Sequence, residues 1–247
     1  GKLHRFLKKG SWREYSIASL LGVTPGCSGS FLNVSFYMHG FIGFGAIAAG
    51  MIATSGDEAF VMLARFPKEA LIIFAILFSL ALPVGWLGDR LVRYFRITTS
   101  ERCDLYTIHS PKEEQTSGHY LKEHIWEHII KGHLGRIFVW TFLAVLLVEL
   151  AINFWPLEAL VKSNPGWVLL VAVFVGIIPE SGPHLIFVTL YAQGVIPFSV
   201  LLASSIAQDG HGLLPLLSYS FKDAMLIKLV NVGVALVIGG LFFLLGL

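Results

Sequence analysis

Two apolar tracts, residues 15–54 and 167–207, each run for about forty residues. A helix needs only about 20 residues to cross the hydrocarbon core of a bilayer. Tracts of this length must therefore turn within or beside the membrane, and both are interrupted by Pro, Gly and small polar residues. Lipid offers no partner for a freed backbone N–H or C=O, so such breaks survive only inside protein or along a cavity. The composition fits a chain dissolved in lipid: 55% of its 247 residues are hydrophobic and 14% charged, against roughly a quarter charged in soluble domains. Segments 71–87, 137–155 and 226–247 are each apolar enough for a single crossing. A net charge of +2 gives no reason to expect a nucleic-acid partner, and Cys27 and Cys103 make neither a disulfide framework nor a zinc ribbon. The start, GKLHRFLKKG, is not a signal peptide, because no apolar stretch follows the charges at the right distance.

Shifted by 154 residues, the sequence aligns with itself without a gap. Gly22 falls on Gly176, Pro25 on Pro179, Tyr37 on Tyr191, Gly40 on Gly194 and Phe44 on Phe198; Ala49 meets Ala203, Ala53 meets Ala207, Gly56 meets Gly210, Lys68 meets Lys222 and Gly85 meets Gly239. Apolar segments match by chance at Leu and Ala, but not so readily at Gly, Pro, Tyr and Lys with one constant offset. Lys and Arg concentrate in residues 1–16 and 88–136, whereas 156–166 holds only Lys162. The positive-inside rule puts the first two regions in the cytoplasm and the third outside. Residues 1–12 correspond to 155–166 yet lie on the opposite side, so the repeats are expected to be inverted, as in many secondary transporters. The expected fold is all-α: a polytopic integral membrane protein with two inverted repeats and broken or re-entrant helices. Its parts are a first repeat (1–88), a cytoplasmic His-rich loop with an amphipathic helix (89–136) and a second repeat (137–247). Because 137–155 opens the second repeat, a matching helix is expected upstream of residue 1.

Each repeat interrupts an apolar run with a polar knot, IATSGDE at 52–58 and IAQDGHG at 206–212. Their meeting would gather Asp57, Glu58, Asp209 and His211, with Gln208 and freed carbonyls adding neutral oxygens. Oxygen donors with one imidazole, and no local thiolate, suit Mn²⁺. The same acids and imidazole could carry protons. Taken alone, Asp57 and Glu58 could cap a helix at the membrane surface, and Asp209-Gly-His could be an ordinary interfacial loop. A second pair of breaks, TPGCSG and IPESGPH, brings Glu180 and His184, with Asn33 following in the first half; Cys27 aligns with Ser181 and reads first as a small core residue. In HYLKEHIWEHIIKGH, His124 and His128 are spaced for one helix face and could chelate a metal, although an interfacial amphipathic helix without metal is the better account of the segment. HExxH, P-loop and GxSxG patterns are missing from the sequence.

The stretches ATSGDEAFVMLARFPKEAL and SGPHLIFVTLYAQGVIPFSVLLASSIAQDGHGLLPLL, with WEHIIKGH, resemble the ten-helix heavy-metal exporter family, whose bacterial and archaeal members are commonly labelled manganese transporters or arsenic efflux proteins. The resemblance covers nearly the whole chain and implies a five-plus-five-helix permease. The expected function is export of a divalent metal ion, Mn²⁺ first, by alternating access in the cell inner (plasma) membrane, with proton coupling at the acids. No enzymatic activity and no cofactor is expected. The partners are the lipid bilayer and the metal ion, and a homo-oligomer is compatible with the sequence. Two rivals remain: an arsenite or oxyanion permease, and an intramembrane metalloenzyme built on Asp209, His211 and His184.

Overall fold

The computed structural model describes residues 10–100 and 163–246, together with residues 142, 143, 146 and 150. The first half carries α1 (Trp12–Val23), α2 (Ser28–Met38), α3 (Phe44–Ile52), α4 (Glu58–Arg65) and α5 (Pro67–Tyr94). The second carries α6 (Pro165–Val175), α7 (His184–Ala192), α8 (Phe198–Ala207), a 3-10 turn (Gly210–Gly212), α9 (Leu213–Tyr219) and α10 (Phe221–Leu244). The protein is helical, with no strand among the described residues.

Among the described residues, α5 and α10 are the helices long and apolar enough to cross a membrane, and they contain or overlap the expected segments 71–87 and 226–247. Each starts where local chemistry favours it. Pro67 sits at the first position of α5, where its missing N–H costs nothing; the Ser220 side chain accepts the Asp223 N–H at the start of α10. The segment 137–155 lies outside the described residues apart from Phe142, Leu143, Leu146 and Leu150, which are helical and exposed. The loop histidines His124 and His128, and Cys103, also lie outside them.

The other helices have 7 to 12 residues. At 1.5 Å per residue the longest reaches about 18 Å, short of the roughly 30 Å hydrocarbon core. The long apolar tracts therefore fold as short helices separated by breaks. α3 and α8 lie innermost: every residue of α3 is buried, and so is all of α8 from Ser199 to its end. α3 packs on α1 and α5, and α8 packs on α6 and α10. Small residues permit these close crossings, the usual device between apolar helices in lipid. A Cβ on Gly85 would stand 3.0 Å from the Ala49 Cβ, and a Cβ on Gly239 would stand 2.5 Å from the Ala203 Cβ. Gly22 against Ala53, at 3.0 Å, is echoed by Gly176 against Ala207, at 2.4 Å. The residue pairs that match at the 154 offset are thus the helix-crossing points of each half.

The halves also interlock. α4 touches α7, and reciprocally α9 touches α2. Neither apolar core belongs to one half: one joins Met62, Ile73 and Leu77 to Leu201, Leu202 and Ile206, and the other joins Tyr15, Tyr37 and Ile47 to Leu213, Leu216 and Ile227.

Candidate metal centre

Four helix breaks converge at the middle of this arrangement. Break 24–27 separates α1 from α2, and break 53–57 separates α3 from α4. The Gly26 N–H donates to the Gly56 carbonyl at 3.0 Å, tying these two breaks together. Break 176–183 precedes α7, and break 208–212 follows α8. Gly56 and Gly210, counterparts at the 154 offset, turn with φ of +59° and +55°, a left-handed conformation that side-chain-bearing residues resist. The two turns touch: a Cβ on Gly210 would lie 3.7 Å from the Gly56 Cα. The Gln208 amide donates to the carbonyl of its own counterpart, Thr54, at 3.4 Å.

Each break contributes one side chain to a single cluster. The Cys27 thiol donates to Asp57 Oδ1 at 3.2 Å and lies 3.1 Å from His211 Nδ1. Asp57 Oδ2 is 3.7 Å from the same nitrogen. On the far side of the ring, His211 Nε2 donates to Glu180 Oε1 at 2.5 Å. Cys27, Asp57 and His211 are buried, while the Glu180 side chain remains 28% exposed. That carboxylate fixes the tautomer: with the proton on Nε2, the Nδ1 lone pair points at the thiol and Asp57. A carboxylate behind a ligating imidazole is the usual second layer of a metal site.

Sulfur, oxygen and nitrogen donors here lie within 4.8 Å of one another. Tetrahedral bonds of about 2.0–2.3 Å separate neighbouring ligand atoms by roughly 3.3–3.7 Å, close to the spacings present. Three such donors around a tetrahedral ion would leave its fourth position open to water.

Of the residues singled out in the sequence, Asp57, His211 and Glu180 meet here. Asp209 does not join them. Its carboxylate is fully buried between the ammonium of Lys228 and the amide of Asn231, both from α10. Lys228 Nζ also donates to the carbonyls of Gly176 (2.7 Å) and Ala207 (3.1 Å), which end α6 and α8. His184 turns to Ser204 Oγ at 3.1 Å, so Asp209, His211 and His184 do not form one triad. Asn33 lies between α1 and α3, donating to the Ala18 carbonyl at 2.8 Å. Glu58 is buried with its Oε2 against Gly56, where Gln208 Oε1 also lies.

The expectation that no thiol lies near the acid–imidazole groups is overturned by Cys27. The sequence put a core role first and a metal-ligand role second, because its counterpart is Ser181 and no thiol pair forms. Contact across the touching breaks, invisible in linear order, brings its sulfur to His211. Lys228 was the other omission; a lone cation inside an apolar span needs a counter-charge, and that requirement pointed to a buried acid such as Asp209.

The family described as "Putative, 10TM heavy-metal exporter" matches the chain twice, over residues 1–135 and 122–245. No curated protein and no solved structure matches it.

Proposed function

The chain belongs to this 10TM heavy-metal exporter family, and from that premise we propose that it carries a divalent metal ion across the membrane at the Cys27–Asp57–His211 cluster, outward by alternating access. The supporting observation is that one side chain from each of four helix breaks converges there; Cys27, Asp57 and His211 would supply the ligand atoms and Glu180 would orient the imidazole. The substrate would bind where both halves contribute, so a movement of one half against the other opens or closes it. Counterparts that touch, Thr54 with Gln208 and Gly56 with Gly210, mark where a twofold axis between inverted repeats would pass. The 28% exposure of Glu180 makes it the side from which an ion would reach the cluster.

The donor set also bears on the ion. Mn²⁺ prefers oxygen, whereas a thiolate, an imidazole and a carboxylate suit a borderline ion of the Zn²⁺ class. Zn²⁺ is therefore placed ahead of Mn²⁺ as substrate, and the plasma membrane is its site of action. Arsenite, which favours several thiols, finds one cysteine among the described residues.

Calorimetry with the purified protein in detergent tests this. Saturable Zn²⁺ binding is expected, with Cys27→Ser shifting preference towards Mn²⁺ and Glu180→Gln weakening Zn²⁺ by about 10–100-fold through loss of imidazole orientation. Zn²⁺ affinity unchanged in Cys27→Ser and Asp57→Asn would remove the cluster from the transport path. Competition by arsenite alone would favour the anion permease.

A further inference from the structure

Away from the metal centre, one polar contact joins the two halves near the end of α2. Tyr37 is wholly buried, and its hydroxyl donates to Asp223 Oδ2 at 2.8 Å. Asp223, the third residue of α10, is wholly buried as well. The Ser100 N–H donates to the same carboxylate oxygen at 2.9 Å. The Tyr37 ring packs edge-on against Tyr219, whose hydroxyl donates to the Ser100 carbonyl. The counterparts of Tyr37 and Asp223 at the 154 offset are Tyr191 and Glu69. These face each other across the halves in the reverse sense, Tyr191 near the end of α7 and Glu69 as the third residue of α5. The Tyr191 ring centre lies 4.9 Å from that of Phe66, just before α5, within electrostatic reach of the Glu69 carboxylate. Among the described residues no hydrogen bond joins Tyr191 to Glu69, and both are partly exposed.

One pair is thus made and buried while its counterpart stands apart. The two lie towards opposite ends of α5. Glu69 is at the start of that helix, and roughly 38 Å of helix separates it from Tyr94 at the end. The chain leaving that end reaches Asp223 through Ser100. Arg90, Arg93 and Arg96 mark the same end as cytoplasmic.

We propose that Tyr37–Asp223 and Tyr191–Glu69 are the two gate latches of the transport cycle, closed in alternation, and that this structure is the state shut on the cytoplasmic face. The proposal rests on the transport reading above. Where inverted repeats rock around a fixed site, each half takes in turn the conformation that the other holds. That exchange breaks Tyr37 from Asp223 and closes Tyr191 on Glu69. Each latch also has a direct line to the metal centre. α2 starts immediately after Cys27 and carries Tyr37 near its end, while α7 follows the break that holds Glu180 and carries Tyr191 near its end. Releasing a latch frees the far end of the helix whose near end positions a side chain of the cluster. A contact present in one state and absent in the other is what biases a two-state equilibrium.

Cys27 reports the outcome. In a Cys103→Ser background it is the one thiol left in this chain. Its modification by a cationic, membrane-impermeant methanethiosulfonate is timed in sealed vesicles of each orientation, free of divalent ions. From the cytoplasmic face, Tyr37→Phe should react about tenfold faster than the parent, the effect of one hydrogen bond to a carboxylate on the balance of states. Tyr191→Phe should react about tenfold slower from that face, because the opposite state loses its latch. The double variant should return to within about twofold of the parent, since both states then lose one bond. Phe keeps the ring packing against Tyr219 and Phe66, so neither change removes core volume. A Tyr37→Phe rate equal to the parent's overturns the proposal, as does a double variant as fast as Tyr37→Phe alone. Acceleration from both faces alike, the mark of a loosened fold, overturns it too. A metal centre misassigned above would show separately, in a Cys27→Ser protein that keeps its Zn²⁺ affinity.

Discussion

Replacing Lys228 by Met should expose how the second half is held together. Lys228 is 4% exposed and Asp209 fully buried; the ammonium contacts that carboxylate and caps the carbonyls of Gly176 and Ala207. Met keeps most of the stem's packing and removes the charge and three contacts. The buried carboxylate is then left with Asn231 alone. Breaking a buried pair by removing one partner costs about 3–5 kcal/mol, because the other charge stays buried and uncompensated. At about 2–4 °C per kcal/mol for a chain of this size, the midpoint should fall by roughly 6–20 °C. Asp209→Asn should cost less, since the ammonium keeps both carbonyls. In the double variant, Asp209→Asn with Lys228→Met, no charge is left unmatched, and most of the loss should be recovered. Thermal unfolding in detergent, followed by tryptophan fluorescence, reads all four proteins. Additive losses in the double variant, or a Lys228→Met midpoint within about 2 °C of the parent, would refute the pairing argument.

Two further outcomes follow from the same geometry. Gly85→Val and Gly239→Val should each destabilise by about 1–3 kcal/mol or more through overpacking at a helix crossing, since a Cβ would stand 2.7 Å from the Gly45 carbonyl oxygen in the first and 2.5 Å from the Ala203 Cβ in the second; a midpoint at the parent's value in either variant would contradict the crossing distances. Zn²⁺ binding should release protons, because thiol and imidazole must be free of them to ligate; affinity should therefore rise with pH, and calorimetric heats should depend on the buffer's ionisation enthalpy. Heats that are the same in Tris and phosphate would argue against a thiolate ligand.

Much of this architecture was legible in the sequence, for reasons that differ by element. α5 and α10 could be read because a single crossing imposes a continuous apolar run, which hydropathy detects directly. The 154 offset was legible because helix crossings demand small residues, so Gly85 with Ala49 and Gly239 with Ala203 leave the same mark twice. Breaks 24–27 and 53–57 announced themselves through Pro25, Gly26 and Gly56, residues that a continuous buried helix would avoid. The separation of α2 from α3 was less plain, because apolar residues run on through Phe41 and Ile42. Gly40, with φ of +70°, and Gly43, just before α3, mark the turn.

Which polar side chains meet at the breaks was harder to read, and Cys27, Asp209 and Glu58 show why. Matching positions identified which segments are broken, but a knot of three adjacent polar residues points its side chains in different directions. Asp57 and Glu58 are neighbours in sequence, yet one meets Cys27 and the other faces Gln208. Asp209 and His211 likewise part, one to Lys228 and the other to the thiol. The offset that revealed the repeat also hid Cys27, because comparison with Ser181 measured it against its counterpart rather than against its neighbours. Charge balance is the better guide. The lone Lys228 in an apolar span had to claim one acid from the knots, and Asp209 is the acid whose break ends the helix that Lys228 caps. With that acid matched, Asp57 and Glu180 are left to meet the thiol and the imidazole, while Glu58 lies against Gly56 and Gln208.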